Sequence, residues 1–483
     1  MRPQNLLILM SDEHDPRFMG CAGHPLVKTP NIDRLAEQGT RFSTAYTPCP
    51  ICVPARGSIA TGRPVHETGY WDNAIGYDGR LPSWGHRLQH AGRRVESIGK
   101  LHFKSAEAPT GYDRQHEPMH LKQGIGSVWG AVRDPLPEFD KPWRMFKQLG
   151  AGVSNYNLYD RRSATTACEW LKARASSPDD KPWVLYVGFV APHYPLVVPD
   201  AFMDLYPLEQ LSLPKLQPRD GYQHHPWVAA LDALVGQDRL FQDDTERLRA
   251  IAAYLGLCTF IDAEIGLVLS ALNDSGMAGN TRVVYTSDHG DNLGARGLWG
   301  KSVLYDESTR VPLIMTGADI EPGKVCDTPV NLTDLFPTIV QAAGATPTEQ
   351  DNELAGRSLL ELAAEPDDVE RTVFSEYHSM GATSAAFMLR RGRYKYHHYV
   401  GFEPELFDLE LDPEETTDLA GDPGHRNTLE GFAALLRTRL DPAAVDRKAK
   451  DDQAALVERF GGREQAMQLG RAGSTPVPGT APE

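Results

Sequence analysis

The apolar positions of the chain fall into short uninterrupted runs and longer amphipathic stretches. Asn5 to Met10 is a continuous apolar run without a helical period, which predicts a strand buried on both faces of a parallel sheet. Runs over Trp183 to Ala191 and Arg282 to Thr286 predict two more buried strands, and Val311 to Thr316 predicts another. Each of the first three runs is followed at once by polar residues.

Three segments between these runs have the pattern of helices. Thr29 to Gly39 begins with capping residues and ends in glycine, and Thr245 to Ser270 and Thr333 to Gly344 are longer amphipathic stretches. Strands that alternate with helices predict an α/β fold, in which a large, mostly parallel sheet is sandwiched by helices.

The predicted strands deliver polar side chains to one edge of this sheet. Asp12 follows the first strand, His193 follows the second, and Asp288 with His289 follows the third. Ligands of open α/β sheets bind outside the carboxyl ends of the strands. We therefore expect these four residues to meet despite their separation in sequence.

The pattern changes after about residue 365. Four short extended pieces, with a turn at Arg391-Gly392, predict a smaller C-terminal antiparallel-sheet subdomain. We predict a catalytic domain over 1–365, this subdomain over 366–440, and a charged, alanine-rich tail over 441–483. The tail is either loose or an arm exchanged with a neighbouring subunit, so we expect a homo-oligomer.

Composition narrows the classes of partner. The chain has 65 Asp and Glu and 49 Lys and Arg, which gives a net charge of −16. Such an acidic chain is unsuited to nucleic acid as its main partner. Its six cysteines are too few for a disulfide scaffold. The N-terminus lacks the pattern of a secretory signal, and no stretch approaches the length that spans a bilayer. We expect a cytoplasmic protein with no membrane partner.

The segment Cys49 to Arg63 carries the strongest chemical signal. Pro54 suits the first turn of a helix and Gly62 its end, which places Cys52 at a helix N-terminus that favours a bound anion. The spacing of Cys49 and Cys52 also occurs in redox pairs and zinc sites. No further soft ligands at zinc spacing are evident, and Arg56 is foreign to a thioredoxin-like motif.

Cys52-Val-Pro-Ala-Arg56 resembles the Cys-x-Pro-x-Arg signature of the formylglycine sulfatases, a family of the alkaline phosphatase superfamily. The resemblance extends in family order over most of the chain up to about residue 345. Its other motifs are Ser11-Asp-Glu-His14, Thr29-Pro-Asn-Ile-Asp33, Asp72-Asn73, Gly99-Lys-Leu-His102, Pro192-His193, Ser287-Asp-His-Gly290 and Gly300-Lys301.

The resemblance implies a role for each matching residue. It makes Cys52 the residue that a formylglycine-generating maturation enzyme converts, so that the hydrated aldehyde is the nucleophile. Arg56, one helical turn on, would stabilise the diol. The cationic or proton-transferring positions of the family fall on Lys100, His102, His193 and Lys301, and Asn73 would bind the sulfate group.

The resemblance also implies a divalent metal site. Its ligands would be Asp12, Asp288 and His289, with Glu13 as a further candidate. Carboxylate oxygens favour Ca²⁺, and the histidine keeps Mn²⁺ and Mg²⁺ open. Many family members carry Asp and Asn where this chain has Glu13 and His289.

The implied activity is hydrolysis of small sulfate monoesters, aryl or alkyl, to an alcohol and inorganic sulfate. Cytoplasmic choline sulfatases are especially similar in Tyr70-Trp-Asp-Asn73 and Gly99-Lys-Leu-His-Phe103. Two alternatives stay open. Phosphonate monoester and phosphodiester hydrolases share the Asp-His pair, although Lys100 and His102 favour a sulfatase. A silent relative that keeps the Cys52 thiol would only bind anions or a partner.

An irregular segment from Ser105 to Leu158 could cover the site as a lid. Its aromatic residues could accept a quaternary ammonium group, although packing within the loop is the simpler interpretation. They are Trp129, Trp143, Tyr156 and Tyr159.

Overall fold

The computed structural model describes residues 4–139, 145–176, 181–470 and 475–479. Its strands are β1 (Asn5–Asp12), β2 (Gly39–Phe42), β3 (Ala45–Tyr46), β4 (Arg94–Lys100), β5 (Arg114–Met119), β6 (Gly150–Ala151), β7 (Trp183–Pro192), β8 (Val197–Val198), β9 (Thr281–Ser287), β10 (Leu313–Thr316), β11 (Lys324–Cys326), β12 (Val330–Asn331), β13 (Val373–Tyr377), β14 (Ala386–Arg391), β15 (Tyr394–Tyr399) and β16 (Glu405–Asp408).

Its helices are α1 (Pro30–Glu37), α2 (Cys52–Thr61), α3 (Val65–Thr68), α4 (Trp84–His90), α5 (Asn155–Ser176), α6 (Asp200–Met203), α7 (Pro226–Val235), α8 (Asp244–Asp274), α9 (Asp306–Thr309), α10 (Leu335–Ala342), α11 (Leu359–Ala364), α12 (Arg426–Arg439), α13 (Pro442–Arg459) and α14 (Gly462–Ala466). Every strand and helix predicted from the apolar pattern is present, with ends displaced by a few residues.

The main sheet has eight strands in the order β11-β2-β10-β9-β1-β7-β4-β5. The five strands from β9 to β5 run parallel to one another, and β10 runs antiparallel to both of its neighbours. This confirms the mostly parallel α/β sheet. The central strands β9, β1, β7 and β4 are adjacent, so their carboxyl ends form one continuous edge.

Strand β1 is buried along its whole length and packs apolar side chains on both faces of the sheet. Leu7 and Leu9 enter a core shared with α1, α5 and α8, whereas Leu6, Ile8 and Met10 enter a core shared with α10 and α4. A strand between two helical layers is apolar at every position because both of its faces are removed from water.

Helix α8 corrects one expectation from the sequence. It has 31 residues and is long and apolar enough to cross a membrane, so the expectation that no stretch approaches that length is wrong. Two thirds of its most apolar window is buried inside the structure, at 67%. Its side chains pack on α5 and β7 in the core of the main domain, which explains the hydropathy.

A four-stranded antiparallel sheet, β13-β14-β15-β16, forms the predicted C-terminal layer. One face packs on the main domain through residues such as Met388, Tyr399 and Phe407, and the other is covered by α12. The predicted turn is present at Gly392, which has a φ of 57°. The helices α13 and α14 follow in the predicted tail. The domain boundaries and the oligomeric arm stay predictions.

A buried lysine joins the small sheet to the main domain. Lys395 of β15 is fully buried, and its Nζ lies 2.6 Å from an Asp306 carboxylate oxygen and 2.8 Å from Glu415 Oε1. Burial raises the pKa of Asp306, but Lys395 and Arg310 together lower it to about 2. Loss of Lys395 would leave two buried carboxylates without this cation, which is far more costly than loss of an exposed pair.

We therefore expect Lys395→Met to lower the free energy of unfolding by about 3–5 kcal/mol, measured by urea denaturation at pH 7. The control is Lys448→Met, which removes an exposed pair to Asp452 at 2.8 Å and should cost at most about 0.5 kcal/mol. Equal effects of the two substitutions would contradict this account of the interface.

Candidate active site

Four adjacent strands place the predicted polar residues at one edge of the sheet. Lys100 ends β4, Asp12 ends β1, and His193 and Asp288 directly follow β7 and β9. The Asp12 carboxylate lies 2.8 Å from Lys100 Nζ and 3.9 Å from His193 Nε2, and Arg56 connects Asp12 with Asp288. The prediction that separate segments meet at this edge agrees with the structure.

Cys52 is the first residue of α2 and lies under this edge. Ile51 before it is extended, Pro54 lies in the first turn, and Gly62 ends the helix with a φ of 70°. The Val53 N–H donates to Asn73 Oδ1 at 3.1 Å, so Asn73 caps this helix. The predicted substrate-binding residue therefore also positions the N-terminus that carries Cys52.

The Cys52 sulfur lies among three other potential ligands. Its Sγ is 3.1 Å from His289 Nε2 and 3.7 Å from Asp12 Oδ1, and all of these groups are buried. Ligand atoms of Asp12, Cys52, Asp288 and His289 all lie within 4.8 Å of one another. Two carboxylate oxygens, an imidazole nitrogen and a sulfur at this spacing could hold a divalent cation.

Two cations neutralise one side of this group. Arg56 donates from NH2 to Asp12 Oδ2 and from Nε to Asp288 Oδ2, both at 2.8 Å, and Lys100 Nζ lies 2.8 Å from Asp12 Oδ2. The remaining Arg56 nitrogen donates to the Lys100 carbonyl at 3.0 Å and the Tyr186 hydroxyl at 3.1 Å. Arg56 thus connects the two carboxylates, and its role in stabilising a diol at position 52 stays a prediction.

Glu13 is not one of the four residues of that group. Its Oε2 is 2.9 Å from Lys301 Nζ and 3.4 Å from His193 Nε2, and its backbone adopts a φ of 69°. With Asp12 and His193 it forms a second group with metal-ligand spacing. In the observed contacts, Glu13 orients Lys301 and His193.

His102 and His193 approach the site from opposite sides. His193 Nδ1 is hydrogen-bonded to the Tyr194 carbonyl at 2.6 Å, and its ring stacks on that of Tyr194. His102 has a φ of 60°, and its Nε2 is hydrogen-bonded to Thr475 Oγ1 at 2.8 Å. Both rings are largely buried beside cations.

Burial and neighbouring charges shift the titration of the site. Burial lowers the pKa of His102 and of His193 well below the ordinary histidine value, and Lys100 and Lys301 respectively lower it further. Burial lowers the pKa of Lys301, but carboxylates and other acidic neighbours raise it well above its usual value. At neutral pH the histidines are therefore uncharged and Lys301 is charged.

The aromatic residues predicted for a lid do not form a cage in the described part of the chain. Trp129 is buried against Phe139, and the Tyr159 hydroxyl donates to the Glu117 carbonyl at 2.6 Å. Tyr156 contacts the C-terminal tail, and Trp143 lies outside the described residues.

Tyr186 and Thr475 were not among the site residues predicted from the sequence. Tyr186 carries a hydroxyl in the middle of a predicted apolar strand, and this polar group in an apolar run was the available signal of a role in the site. Thr475 lies in a short proline-rich tail whose pattern carries no signal of contact with the site.

Fold and site together define a hydrolase of the alkaline phosphatase superfamily. Residues 4–345 match the Sulfatase family model, and residues 294–441 match the model of the N-sulphoglucosamine sulphohydrolase C-terminal region. The chain therefore belongs to the sulfatase family and is a sulfuric ester hydrolase. The family membership inferred from the sequence motifs is confirmed.

Curated relatives cover most of the chain. Choline-sulfatase of Rhizobium meliloti (strain 1021) is 31% identical over 472 residues, which are 93% of this chain and 89% of that protein. Arylsulfatase K of Homo sapiens is 29% identical over 446 residues, or 86% of this chain and 78% of that protein.

Solved structures share the fold. The phosphonate monoester hydrolase of Agrobacterium radiobacter aligns with a TM-score of 0.74 at 23% identity, over 90% of this chain and 95% of that one. BT1596, a 2-O GAG sulfatase, aligns with a TM-score of 0.72 at 26% identity, over 94% of both chains.

An unmodified Cys52 should be a poor nucleophile. Burial and the Asp12 charge raise the pKa of its thiol to about 12, so only ~10⁻⁴ of it is ionised at pH 8. We expect iodoacetamide at pH 8 in EDTA to label the partly exposed Cys168 well before Cys52, measured by peptide mass spectrometry. In guanidinium, Cys52 and Cys168 should react at similar rates. Comparable rates for the two residues in the folded protein would contradict the buried environment assigned to Cys52.

Proposed function

We propose that the protein hydrolyses small sulfate monoesters, aryl or alkyl, with a formylglycine hydrate at position 52 as the nucleophile. The observation that carries this proposal is the placement of Cys52 at a helix N-terminus, against two carboxylates and a histidine, with cations on the other side. A thiol with so high a pKa is unsuited to attack, whereas a geminal diol offers one hydroxyl for attack and a second for release.

We propose that Asp12, Asp288, His289 and residue 52 hold a divalent cation, with Ca²⁺ as the first choice and Mn²⁺ or Mg²⁺ as alternatives. The donor set fits, because Arg56 and Lys100 engage the Oδ2 atoms of the two aspartates, whereas the Oδ1 atoms lie near Cys52 Sγ or His289 Nε2. Asp288 Oδ1 also accepts from the backbone N–H groups of Glu13 and His289. When bound, the cation supplies Lewis-acid activation of the nucleophile and positive charge for a sulfate oxygen.

Three positively charged side chains could stabilise the negative charge of the sulfuryl group during its transfer. Arg56 and Lys100 pair with Asp12 or Asp288, and Lys301 pairs with Glu13, whose pKa burial raises to about 8. A divalent ion would therefore leave the site with net positive charge. That charge favours the negative oxygens that develop around sulfur. Asn73 lies beside the start of α2, where its amide nitrogen could donate to the same group.

The two histidines divide the proton transfers. Lys301, which is charged at neutral pH, shares the Glu13 carboxylate with His193 and would supply the proton for the leaving oxygen through this pair. Neutral His102 suits the opposite task, removal of a proton from the second hydroxyl at position 52. These roles follow the family resemblance of the residues.

We also propose a cytoplasmic location, which favours substrates small enough to enter the cell. Choline-sulfatase and arylsulfatase K among the relatives support small alkyl and aryl sulfates as the substrate class to test. Hydrolysis of phosphonate monoesters is the second candidate. The Asp288-His289 pair and the shared fold of the bacterial phosphonate monoester hydrolase favour it.

Removal of one proposed ligand should weaken cation binding independently of activity. We expect Asp288→Asn to lower the affinity of metal-stripped protein for Ca²⁺ or Mn²⁺ on the order of tenfold or more, measured by isothermal titration calorimetry. Asp319→Asn is the control, because Asp319 pairs with Arg282 outside the site and should not change the affinity. Equal affinity of all three proteins would remove Asp288 from the metal site.

The substrate preference separates the two candidate activities. We expect kcat/KM for 4-nitrophenyl sulfate to exceed that for a 4-nitrophenyl phosphonate monoester by about tenfold or more, or ~1.4 kcal/mol in barrier height. The enzyme is made with a formylglycine-generating enzyme, and the aldehyde at residue 52 is verified by peptide mass spectrometry. The reverse preference would support the phosphonate hydrolase.

Cys52→Ala is the control for both substrates and should abolish turnover above background. If mass spectrometry finds only thiol at residue 52 under active maturation, the silent anion-binding relative becomes the better interpretation.

A further inference from the structure

A short segment of the C-terminal tail, Thr475 to Gly479, contacts the active site. The Thr475 hydroxyl lies 2.8 Å from His102 Nε2. This is the one side-chain hydrogen bond of His102 within the described residues, because its Nδ1 is buried and has no partner there. Among the described residues, the side chain that is hydrogen-bonded to this ring therefore comes from 373 positions further along the chain.

The segment is held by contacts at Thr475 itself and at Val477. Val477 is buried in an apolar cluster with Met119, Tyr159 and Val190. The Thr475 carbonyl accepts a hydrogen bond from the Tyr156 hydroxyl at 3.1 Å. These contacts hold the Thr475 hydroxyl in place, which a loose tail could not do.

Tyr156, which is hydrogen-bonded to Thr475, also contacts the second histidine of the site. The Tyr156 ring meets the His193 ring edge to face, with centroids 6.5 Å apart. A continuous path of contacts thus runs from His102 through Thr475 and Tyr156 to His193. Both residues with a proposed proton-transfer role are supported by this segment.

The two nitrogens of His102 are not equivalent in this arrangement. A neutral imidazole carries its proton on one nitrogen and accepts on the other, and the partner of one nitrogen sets the role of the other. The Thr475 hydroxyl can accept the proton of Nε2–H. Nδ1, buried and unpartnered, is then left as the acceptor. In the opposite tautomer Nε2 would accept from the Thr475 hydroxyl and Nδ1 would carry the proton, so neither nitrogen would be free to accept one.

We propose that Thr475 is a positioning residue, whose hydroxyl accepts the Nε2 proton of His102 and leaves Nδ1 free to act as the base that regenerates the aldehyde at residue 52. This inference rests on the proposed function.

The step that depends on Thr475 is the second half of the reaction. After sulfate transfer, the carbon at residue 52 bears one hydroxyl and one sulfate ester oxygen. His102 Nδ1 accepts the hydroxyl proton, and the O–H electron pair forms the second carbon–oxygen bond of the aldehyde. The bond from carbon to the ester oxygen breaks, and its electron pair leaves with sulfate as SO₄²⁻.

Thr475→Val tests the hydroxyl with little change of shape, and Thr475→Ser is the matched control that keeps it. With 4-nitrophenyl sulfate, slower sulfate release should lower kcat about tenfold in Thr475→Val and lower KM with it, so that kcat/KM changes less than about twofold. A burst of 4-nitrophenol equal to the enzyme concentration should appear. Thr475→Ser should behave as the unsubstituted protein does. An unchanged kcat in Thr475→Val, or equal losses in the two variants, would overturn the proposal.

A spectroscopic measurement tests the same proposal without turnover. In ¹⁵N-histidine-labelled protein, with His102 assigned by comparison with His102→Gln, we expect the neutral Nε2–H tautomer in the unsubstituted protein and in Thr475→Ser. A mixture of tautomers is expected in Thr475→Val. The Nδ1–H tautomer in the unsubstituted protein would overturn the role of Thr475. Failure to hydrolyse aryl sulfates would instead overturn the proposed function and leave the tautomer result standing.

Discussion

The site is organised by a single buried carboxylate. Asp12 is fully buried at the end of a central strand, and two cations, Arg56 and Lys100, both contact its Oδ2 at 2.8 Å. Burial alone raises the pKa of Asp12, but Lys100, His193 and Arg56 together lower it well below its ordinary value. An ionised carboxylate in this position costs several kcal/mol without such partners, so the cations and the aspartate require one another.

The order of strands in the sheet brings Asp12 close to its cationic partners and to Asp288. Asp12 and Lys100 end strands that flank β7, and Asp288 follows the strand on the other side of β1. Arg56 reaches across from α2 and connects two of these strand ends with one planar guanidinium. The helix that carries Cys52 is thereby fixed to the sheet by the residue one turn beyond it. Arg56 therefore connects the helix that begins at Cys52 with the carboxylates of Asp12 and Asp288.

Much of the fold and of the site could be predicted from the sequence, because a strand buried on both faces is an uninterrupted apolar run that ends in polar residues. The strands β1, β7 and β9 and the meeting of Asp12, His193 and Asp288 follow from that pattern, and the helix that begins at Cys52 follows from Pro54 and Gly62. The central strand β4 was not predicted. The partners of each side chain do not follow from the pattern, and the contacts of Arg56 with two carboxylates are an example. Thr475 could not be found, because its contact with His102 depends on the path of an irregular segment.

The burial of Cys52 also constrains how the mature protein can arise. In the folded chain its side chain is 2% exposed, beneath the ends of β1 and β9 and at the start of a helix whose ten residues are all buried. If residue 52 is converted as proposed, the modifying enzyme needs access to a side chain that the folded protein buries. The proposed conversion would then have to precede folding, and a chain that folded first would keep the thiol.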